Sequence, residues 1–271
     1  MSGDLMKEIF GYFEVEGRAI HAGLYKPEGK PRLAVLLCEP FGEEKRCSYR
    51  MMVRLARALA ERGCAVLRFD LSGTGDSAGG HDEATWEHWH SEAAAALSMI
   101  DGAGEGAPTC VCAFRAGALL AAKLPGVTRL ALCEPIWSGE ELLADWERRQ
   151  KIKEAMGQGA PAGTTPEGVR DFGGLLVSDA LAGQLRQVRI APERLPNGGR
   201  TLLLRVTGAK SFPPAWQPYC ARCDARLIAD KPFWGQVEYF ESNAVLEPVV
   251  EFCQRVMAAA ASSPPAHLGV S

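Results

Sequence analysis

Arg115 occupies the position at which a strand–turn–helix motif would carry a catalytic serine. The stretch from 109 to 120, TCVCAFRAGALL, is typical of a buried strand, a sharp turn and a helix. Ala113 and Gly117 keep the small residues that a G-x-S-x-G nucleophile elbow requires, because the strand and helix backbones nearly touch there. A guanidinium cannot attack a carbonyl carbon. The sequence therefore keeps the steric pattern of the elbow and lacks its nucleophile.

The acid and the base of serine hydrolysis are also missing from their expected places. In the chain order nucleophile, acid, base, the acid would follow a strand predicted over 201–207, where the sequence has Lys210. The base would follow the strand predicted over 225–229, where Asp230 and Lys231 stand and no histidine follows nearby. Three substitutions together predict that serine hydrolysis has been lost.

Groups that could bind a substrate remain. Backbone N–H donors for an oxyanion are predicted at Ala116, directly after the elbow, and at Phe41 and Gly42, after an early strand. Trp234, in the loop where the base would lie, completes the predicted substrate-binding set.

Two glutamates are predicted to flank Arg115. The tripeptide Cys-Glu-Pro occurs twice, with Glu39 and Glu134 at the ends of two strands, and such carboxyl ends border the ligand crevice of an open sheet. One interpretation is a buried ion network that fixes three loops. The other is a ligand site, in which the guanidinium binds a carboxylate or phosphate and Glu39, Arg115 and Glu134 are the catalytic candidates.

The elements that position these residues alternate between strand and helix. The chain begins with a predicted hairpin that turns at Glu16-Gly17. Strands are then predicted over 32–38, 65–71, 109–114 and 129–133, and the helices between and after them over 48–62, 85–100 and 116–124. This pattern predicts an α/β protein with a mostly parallel, doubly wound sheet. The pattern breaks at 136, so we expect residues 136–199, with a polar helix over 139–156, to form a cap. The core is then 1–135 and 200–257, including a last helix over 244–257, and 258–271 is a disordered tail.

Composition narrows the possible partners and compartment. The 271 residues carry a net charge of −3, which gives no reason to expect a nucleic acid or an anionic membrane as partner. We predict no membrane span, no signal peptide, no metal and no cofactor. Most of the nine cysteines lie in predicted strands, which indicates a reducing, cytoplasmic compartment.

Several motifs occur in the order found in one known family. They are Glu39 to Glu44 (EPFGEE), Leu71 to Gly79 (LSGTGDSAG), Trp86 with Trp89, Phe114 to Ala121 (FRAGALLA), Glu134-Pro135 and Pro232 to Trp234 (PFW). Together they resemble the exosortase A system-associated hydrolase 2 family of the α/β-hydrolase superfamily, clearly over 35–140 and weakly over 200–255. Members of that family often have an arginine at the elbow, while Ala113 departs from their usual glycine. The resemblance implies an α/β-hydrolase fold, hydrolysis by homology, and a bacterial setting of exopolysaccharide and protein export.

These observations lead to three alternative functions for the protein. The first is a non-hydrolytic protein that binds an anionic small molecule at Arg115 beneath the cap. The second is a hydrolase or acyl transferase in which Glu39 or Glu134 activates water or substrate. The third is a scaffold that binds a protein partner through surface aromatic residues in 81–90 and 232–240.

Overall fold

A central sheet of eight strands organises the molecule. The structure is a computed structural model and describes residues 6–157, 165–206, 211–236, 238 and 240–262. The strand order in the sheet is β1-β2-β4-β3-β5-β6-β9-β10. These strands are β1 (Met6–Val15), β2 (Arg18–Pro27), β3 (Leu33–Cys38), β4 (Cys64–Phe69), β5 (Thr109–Phe114), β6 (Leu130–Cys133), β9 (Gly198–Val206) and β10 (Cys223–Ile228).

The predicted opening hairpin is present and forms one edge of the sheet. Glu16 and Gly17 both have positive φ in the turn, and β1 pairs with β2 in antiparallel register. Strand β2 also pairs antiparallel with β4, so that Ala22 lies opposite Phe69. All other strand pairs in this sheet are parallel. The prediction of a mostly parallel sheet is confirmed.

Helices cover both faces of the sheet, as the alternating pattern predicts. Helices α1 (Gly42–Ala60) and α7 (Asn243–Ala261) pack on one face, and α2 (Trp86–Ala103) and α3 (Gly117–Ala121) pack on the other. Strands β3 and β4 are buried at every position, since helices cover both of their faces. The molecule has two apolar layers, one on each side of the sheet.

Helix α1 begins six residues earlier than the sequence pattern predicts. Its first residue is Gly42, and Glu43 and Glu44 lie in its first turn. Acidic residues at this position are stabilised by the positive end of the helix dipole. The segment from Glu39 to Glu44, which lies between the predicted strand over 32–38 and the predicted helix over 48–62, is therefore divided between a short turn and the start of the helix.

The segment between β6 and β9 contains its own small elements. These are α4 (Gly139–Ala155), a two-stranded antiparallel sheet of β7 (Val169–Asp171) and β8 (Leu176–Ser178), and α5 (Asp179–Gln187). The Ser138 and Ser178 side chains cap the starts of α4 and α5. The β7–β8 turn approaches the sheet domain, because Leu175 lies against Gly42. The cap role and the boundaries 136–199 stay predictions.

The C-terminal helix is longer than predicted. Helix α7 continues to Ala261, so the prediction of a disordered tail is wrong for 258–261. The remaining predicted tail from 263 lies outside the described residues, as does the stretch 158–164. No helix in the part of the chain described above is long and apolar enough to span a membrane. A short helix α6 (Gln217–Cys220) precedes β10.

We expect Gly117→Ala to destabilise the protein by about 3 kcal/mol, since overpacking at a close backbone crossing cannot relax easily. A Cβ atom at this position would collide with the Cys38 carbonyl and lie 2.6 Å from the Glu39 carbonyl oxygen. The matched control is Gly102→Ala in α2, where the space is open and alanine should stabilise the helix by about 0.5–1 kcal/mol. Urea denaturation of both variants measures the difference, and equal effects would contradict the close crossing.

Candidate functional site

The elbow has the backbone geometry that the sequence predicts. Arg115 follows β5 with φ of 52°, in the left-handed region that residues other than glycine seldom adopt. Its N–H donates to the Cys133 carbonyl at 3.0 Å, and its own carbonyl accepts from the Ile136 N–H at 3.2 Å. The backbone strain, on the order of 1–2 kcal/mol, is held in place by these bonds to the neighbouring strand and loop.

The Arg115 guanidinium is fully engaged by protein groups. Its Nε lies 3.2 Å from both carboxylate oxygens of Glu44, and its Nη2 lies 3.0 Å from Glu44 Oε1. Nη1 donates to the Glu134 backbone carbonyl at 3.3 Å, and the guanidinium carbon lies 5.1 Å from the ring centre of Trp234. Burial alone would lower the pKa of Arg115, but Glu44 more than offsets this, and the pKa lies above its usual value.

Glu44 is the centre of a larger ion cluster. Its side chain is 4% exposed and also accepts from Arg149 Nη2 at 2.6 Å. Arg149 Nε binds Asp145 Oδ2 at 2.8 Å, and this oxygen lies 3.8 Å from Arg115 Nη2. We call Glu44, Arg115, Asp145 and Arg149 the elbow cluster. With two acids and two arginines it is neutral as a set, and it joins β5, α1 and α4.

The prediction that the Glu39 and Glu134 carboxylates pair with Arg115 is wrong. Glu39 turns toward the neighbouring strand, where it binds Arg68 Nε at 2.5 Å. Glu134 does contact Arg115, but through its backbone carbonyl, because its carboxylate accepts from the Val206 N–H at 2.6 Å. Burial raises the pKa of the Glu134 carboxyl above its usual range. An ion network does hold the elbow, but its acids are Glu44 and Asp145 and not Glu39 and Glu134.

Of the four predicted substrate-binding residues, three are packed in the protein interior and one lines a cavity. Trp234 covers the Arg115 guanidinium, and Ala116 is fully buried beside it. Phe41 is buried against Trp89, with ring centres 5.1 Å apart. Gly42 starts α1 and lines a cavity described below.

The loops that would carry the acid and the base are only partly described. Strand β9 ends at Val206, and Lys210 lies outside the described residues. After β10, the Asp230 carboxylate accepts from the Ser242 hydroxyl at 2.6 Å and from the Lys231 N–H at 2.8 Å. Asp230 therefore fixes the loop that leads to α7.

The aromatic residues of the scaffold hypothesis are mostly interior. Trp89, Phe233 and Trp234 are at most 5% exposed. The hypothesis required surface aromatics in 81–90 and 232–240, so these residues do not supply the partner surface that it needs.

A cavity of about 520 Å³ opens at the carboxyl end of β4, two strands from the elbow. It lies between the β1–β2 hairpin, the start of α1 and the β7–β8 turn. No pattern in the sequence indicated it. Its lining includes Phe10, His21, Gly23, Gly42, Glu43, Lys45, Arg46, Tyr49, Arg68, Phe69, Asp70, Thr74, Gly75, Asp76 and 173–175.

His21 and Asp70 form a hydrogen-bonded pair in the cavity wall. His21 Nδ1 lies 3.2 Å from Asp70 Oδ2, and Lys45 Nζ donates to Asp70 Oδ1 at 2.5 Å. Asp70 Oδ2 also accepts from the Asp76 N–H at 3.1 Å. Burial alone would raise the pKa of Asp70, but Lys45 and these hydrogen bonds outweigh it, and the pKa lies below its usual value.

The glycine-rich turn after β4 builds this pair. Ser77 Oγ donates to the Asp70 carbonyl at 2.6 Å and accepts from the His21 N–H at 2.9 Å. Gly75 has φ of 55°, and a Cβ atom there would overlap the Asp70 carboxylate. The Ser77 hydroxyl thus satisfies the backbone groups of both His21 and Asp70. The turn motif was visible in the sequence, but the pairing of β2 with β4 that delivers His21 to it was not.

Two groups of described residues have enough ligand atoms close together for a metal ion. They are His21 with Asp70 and Asp76, and the buried thiols Cys110, Cys112 and Cys253. In the first group the Lys45 ammonium already supplies the positive charge beside Asp70 that a metal ion would provide. The thiols lie in an apolar layer, where burial disfavours the thiolates that a metal requires.

Solved structures with the same architecture are esterases, lipases and other hydrolases. Est1E from Butyrivibrio proteoclasticus with bound ferulic acid has a TM-score of 0.64 and 17% identity, covering 93% of this chain and 99% of that one. Hypothetical protein PA2218 from Pseudomonas aeruginosa has a TM-score of 0.62 and 16% identity, covering 93% and 94%. Proline iminopeptidase from Mycobacterium smegmatis has a TM-score of 0.57 and 16% identity, covering 94% and 100%.

No protein-family model matches this chain, and no curated protein sequence matches it. The structural likeness at low identity, together with the eight-stranded sheet, establishes the α/β-hydrolase fold.

We expect Glu44→Gln to cost about 3 kcal/mol in the free energy of unfolding, because it removes the buried acid that pairs with Arg115 and Arg149, two partly buried arginines, and leaves them with Asp145. The control is Glu140→Gln, whose ion pair with Arg189 is 65% exposed on both sides and should contribute less than about 1 kcal/mol. Chemical denaturation at low salt measures both. Similar losses in the two variants would contradict a central role for Glu44.

We expect Asp70→Asn to destabilise the protein most at neutral pH. The pKa of Asp70 is lower in the folded state, so its stabilisation is present above the unfolded value of about 3.8 and is lost as the pH falls through the folded value. The difference in unfolding free energy between wild type and variant should therefore shrink in acid. A difference that is constant from pH 7 to pH 3 would show that the ionised carboxylate is unimportant.

Proposed function

We propose that this chain is a small-molecule-binding protein of the α/β-hydrolase fold that does not carry out serine hydrolysis. The observation that carries the proposal is the pairing of the Arg115 guanidinium with Glu44 at the position of the nucleophile. No hydroxyl or thiol stands there to attack a substrate. The fold's usual reaction centre is instead a salt-bridged junction between β5, α1 and α4.

The ion cluster argues against Arg115 as the binding site for an anionic ligand. Such a ligand would have to displace Glu44, which already supplies a carboxylate to the guanidinium fork. The open volume of the crevice lies at β4, where the 520 Å³ cavity is of a size typical for small-molecule sites. This supports binding of a small molecule beside the elbow and not on it.

A hydrolase or transferase that works through a glutamate is the second candidate. Its support is the position of Glu134 beside the elbow, together with a carboxyl pKa that burial raises above its usual value, the direction that favours a general acid or base. Glu39 is a weaker candidate because Arg68 neutralises it. Of the two, Glu134 is therefore the residue to test.

The cysteines and the family resemblance support a proposal for the cellular setting. All nine cysteines are free, which supports a reducing compartment and hence the cytoplasm. The resemblance to the exosortase-associated family supports a bacterial role near polysaccharide or protein export.

We expect the wild-type protein to show no labelling by a fluorophosphonate probe and no turnover of short p-nitrophenyl esters or thioesters above a heat-denatured control. The physical reason is the absence of a nucleophile at position 115. Labelling at any serine together with turnover would refute the proposal. Turnover without labelling that is lost in Glu134→Gln and retained in Glu140→Gln would favour the second candidate.

A further inference from the structure

Asp70 prepares His21 to accept a hydrogen bond. An ionised carboxylate beside Nδ1 favours the tautomer that carries its proton on that nitrogen, which leaves Nε2 with a free lone pair. Asp70 is itself held by Lys45 and by the Asp76 N–H, so its carboxylate is fixed beside the Nδ1 edge of the ring. Among the residues that the structure describes, the imidazole hydrogen bonds through Nδ1. We therefore expect Nε2 to accept a hydrogen bond from a ligand.

The charges in the cavity wall are largely paired with one another. Lys45 binds Asp70, Arg68 binds Glu39 and Glu43 binds Lys153. Of the remaining charged lining residues, Arg46 donates to the Gly173 carbonyl and Asp76 carries the opposite charge. A cavity balanced in this way gives little electrostatic reason to select an anion or a cation.

Aromatic side chains border the opening and are left exposed. Phe10 is 54% exposed and Tyr49 is 51% exposed, which is unusual for residues that line a cavity. Phe10 lies across the hairpin because Gly23 opposite has no side chain, and a Cβ atom there would lie 2.9 Å from the Phe10 ring. Arg68 stacks on Tyr49, with its guanidinium carbon 4.7 Å from the ring centre, and orients it. An apolar ligand would cover both rings.

We propose that this cavity binds an uncharged, partly aromatic molecule whose hydroxyl group donates a hydrogen bond to His21 Nε2. The inference rests on the proposed small-molecule-binding function and names its site and ligand class. Asp70 is a positioning residue for His21, and Phe10 and Tyr49 supply the apolar contacts. The volume suits a molecule of about two rings.

Three biphenyl probes that differ only in the substituent at position 4 distinguish the ligand classes. They are 4-phenylphenol, 4-methoxybiphenyl, which lacks the donor hydroxyl, and biphenyl-4-carboxylate, which is anionic. Isothermal titration of the full chain should show binding of 4-phenylphenol, and about ten-fold weaker binding of the methoxy compound, the loss expected for one hydrogen bond. The carboxylate should also bind more weakly than the phenol.

Variants at the site connect binding to the proposed residues. His21→Phe keeps an aromatic ring without an acceptor and should weaken 4-phenylphenol about ten-fold, while His21→Gln keeps an acceptor and should retain more affinity. Phe10→Ala should weaken all three probes. Ile9→Ala, which removes an exposed apolar residue of β1 outside the cavity wall, should change none of them.

The outcomes distinguish this inference from the proposed function. Tighter binding of the carboxylate than of the phenol would overturn the ligand class and leave a small-molecule site in place. Equal binding by wild type and His21→Phe would overturn the role of His21. If no probe binds, the proposal that this cavity is the ligand site is wrong. The loss of serine hydrolysis is tested separately, by labelling and turnover at a serine. Unchanged circular dichroism of each variant shows that it is folded.

Discussion

The ion pair between Arg115 and Glu44 is the interaction on which the active-site region of this fold depends. Glu44 is nearly inaccessible to solvent, so its charge has to be neutralised within the protein. Two arginines do this, one from the elbow after β5 and one from α4. The first turn of α1 is thereby fixed to the centre of the sheet and to the segment between β6 and β9. The crevice at this point is closed by charge pairing and by the Trp234 ring.

The same arrangement explains why the open cavity lies elsewhere. An α/β sheet offers its crevice along all the carboxyl ends of its strands. With the region above β5 occupied by the elbow cluster, the free volume is found above β4, beside the antiparallel hairpin. There the glycine-rich turn wraps around Asp70 and brings His21 into the wall. The elbow and the cavity thus both lie at carboxyl ends of parallel strands, and side chains of the elbow cluster occupy the first of these places.

The fold was predictable from the sequence because it depends on local patterns. The apolar run at β3, the turn at Glu16-Gly17 and the small residues around the elbow each identify an element without knowledge of its neighbours. The site was predictable only in part. Arg115 was found, but Glu44 was missed because the predicted helix begins at 48, whereas Glu43 and Glu44 belong to the first turn of α1. His21 was missed because its partner Asp70 lies 49 positions away and meets it only through the pairing of β2 with β4.

The elbow cluster also limits how this chain can change in evolution. A substitution of Arg115 by serine would leave Glu44 facing Arg149 alone and Trp234 without the cation it covers. The effect of that one substitution therefore depends on which residues occupy positions 44 and 234, a strong coupling of the kind expected between groups in contact. A serine nucleophile at this position would require coordinated replacements, because the single change leaves the charges of the elbow cluster unbalanced. The elbow cluster is in this sense a source of epistasis: the residues at positions 44, 149 and 234 decide which side chains the elbow can accept.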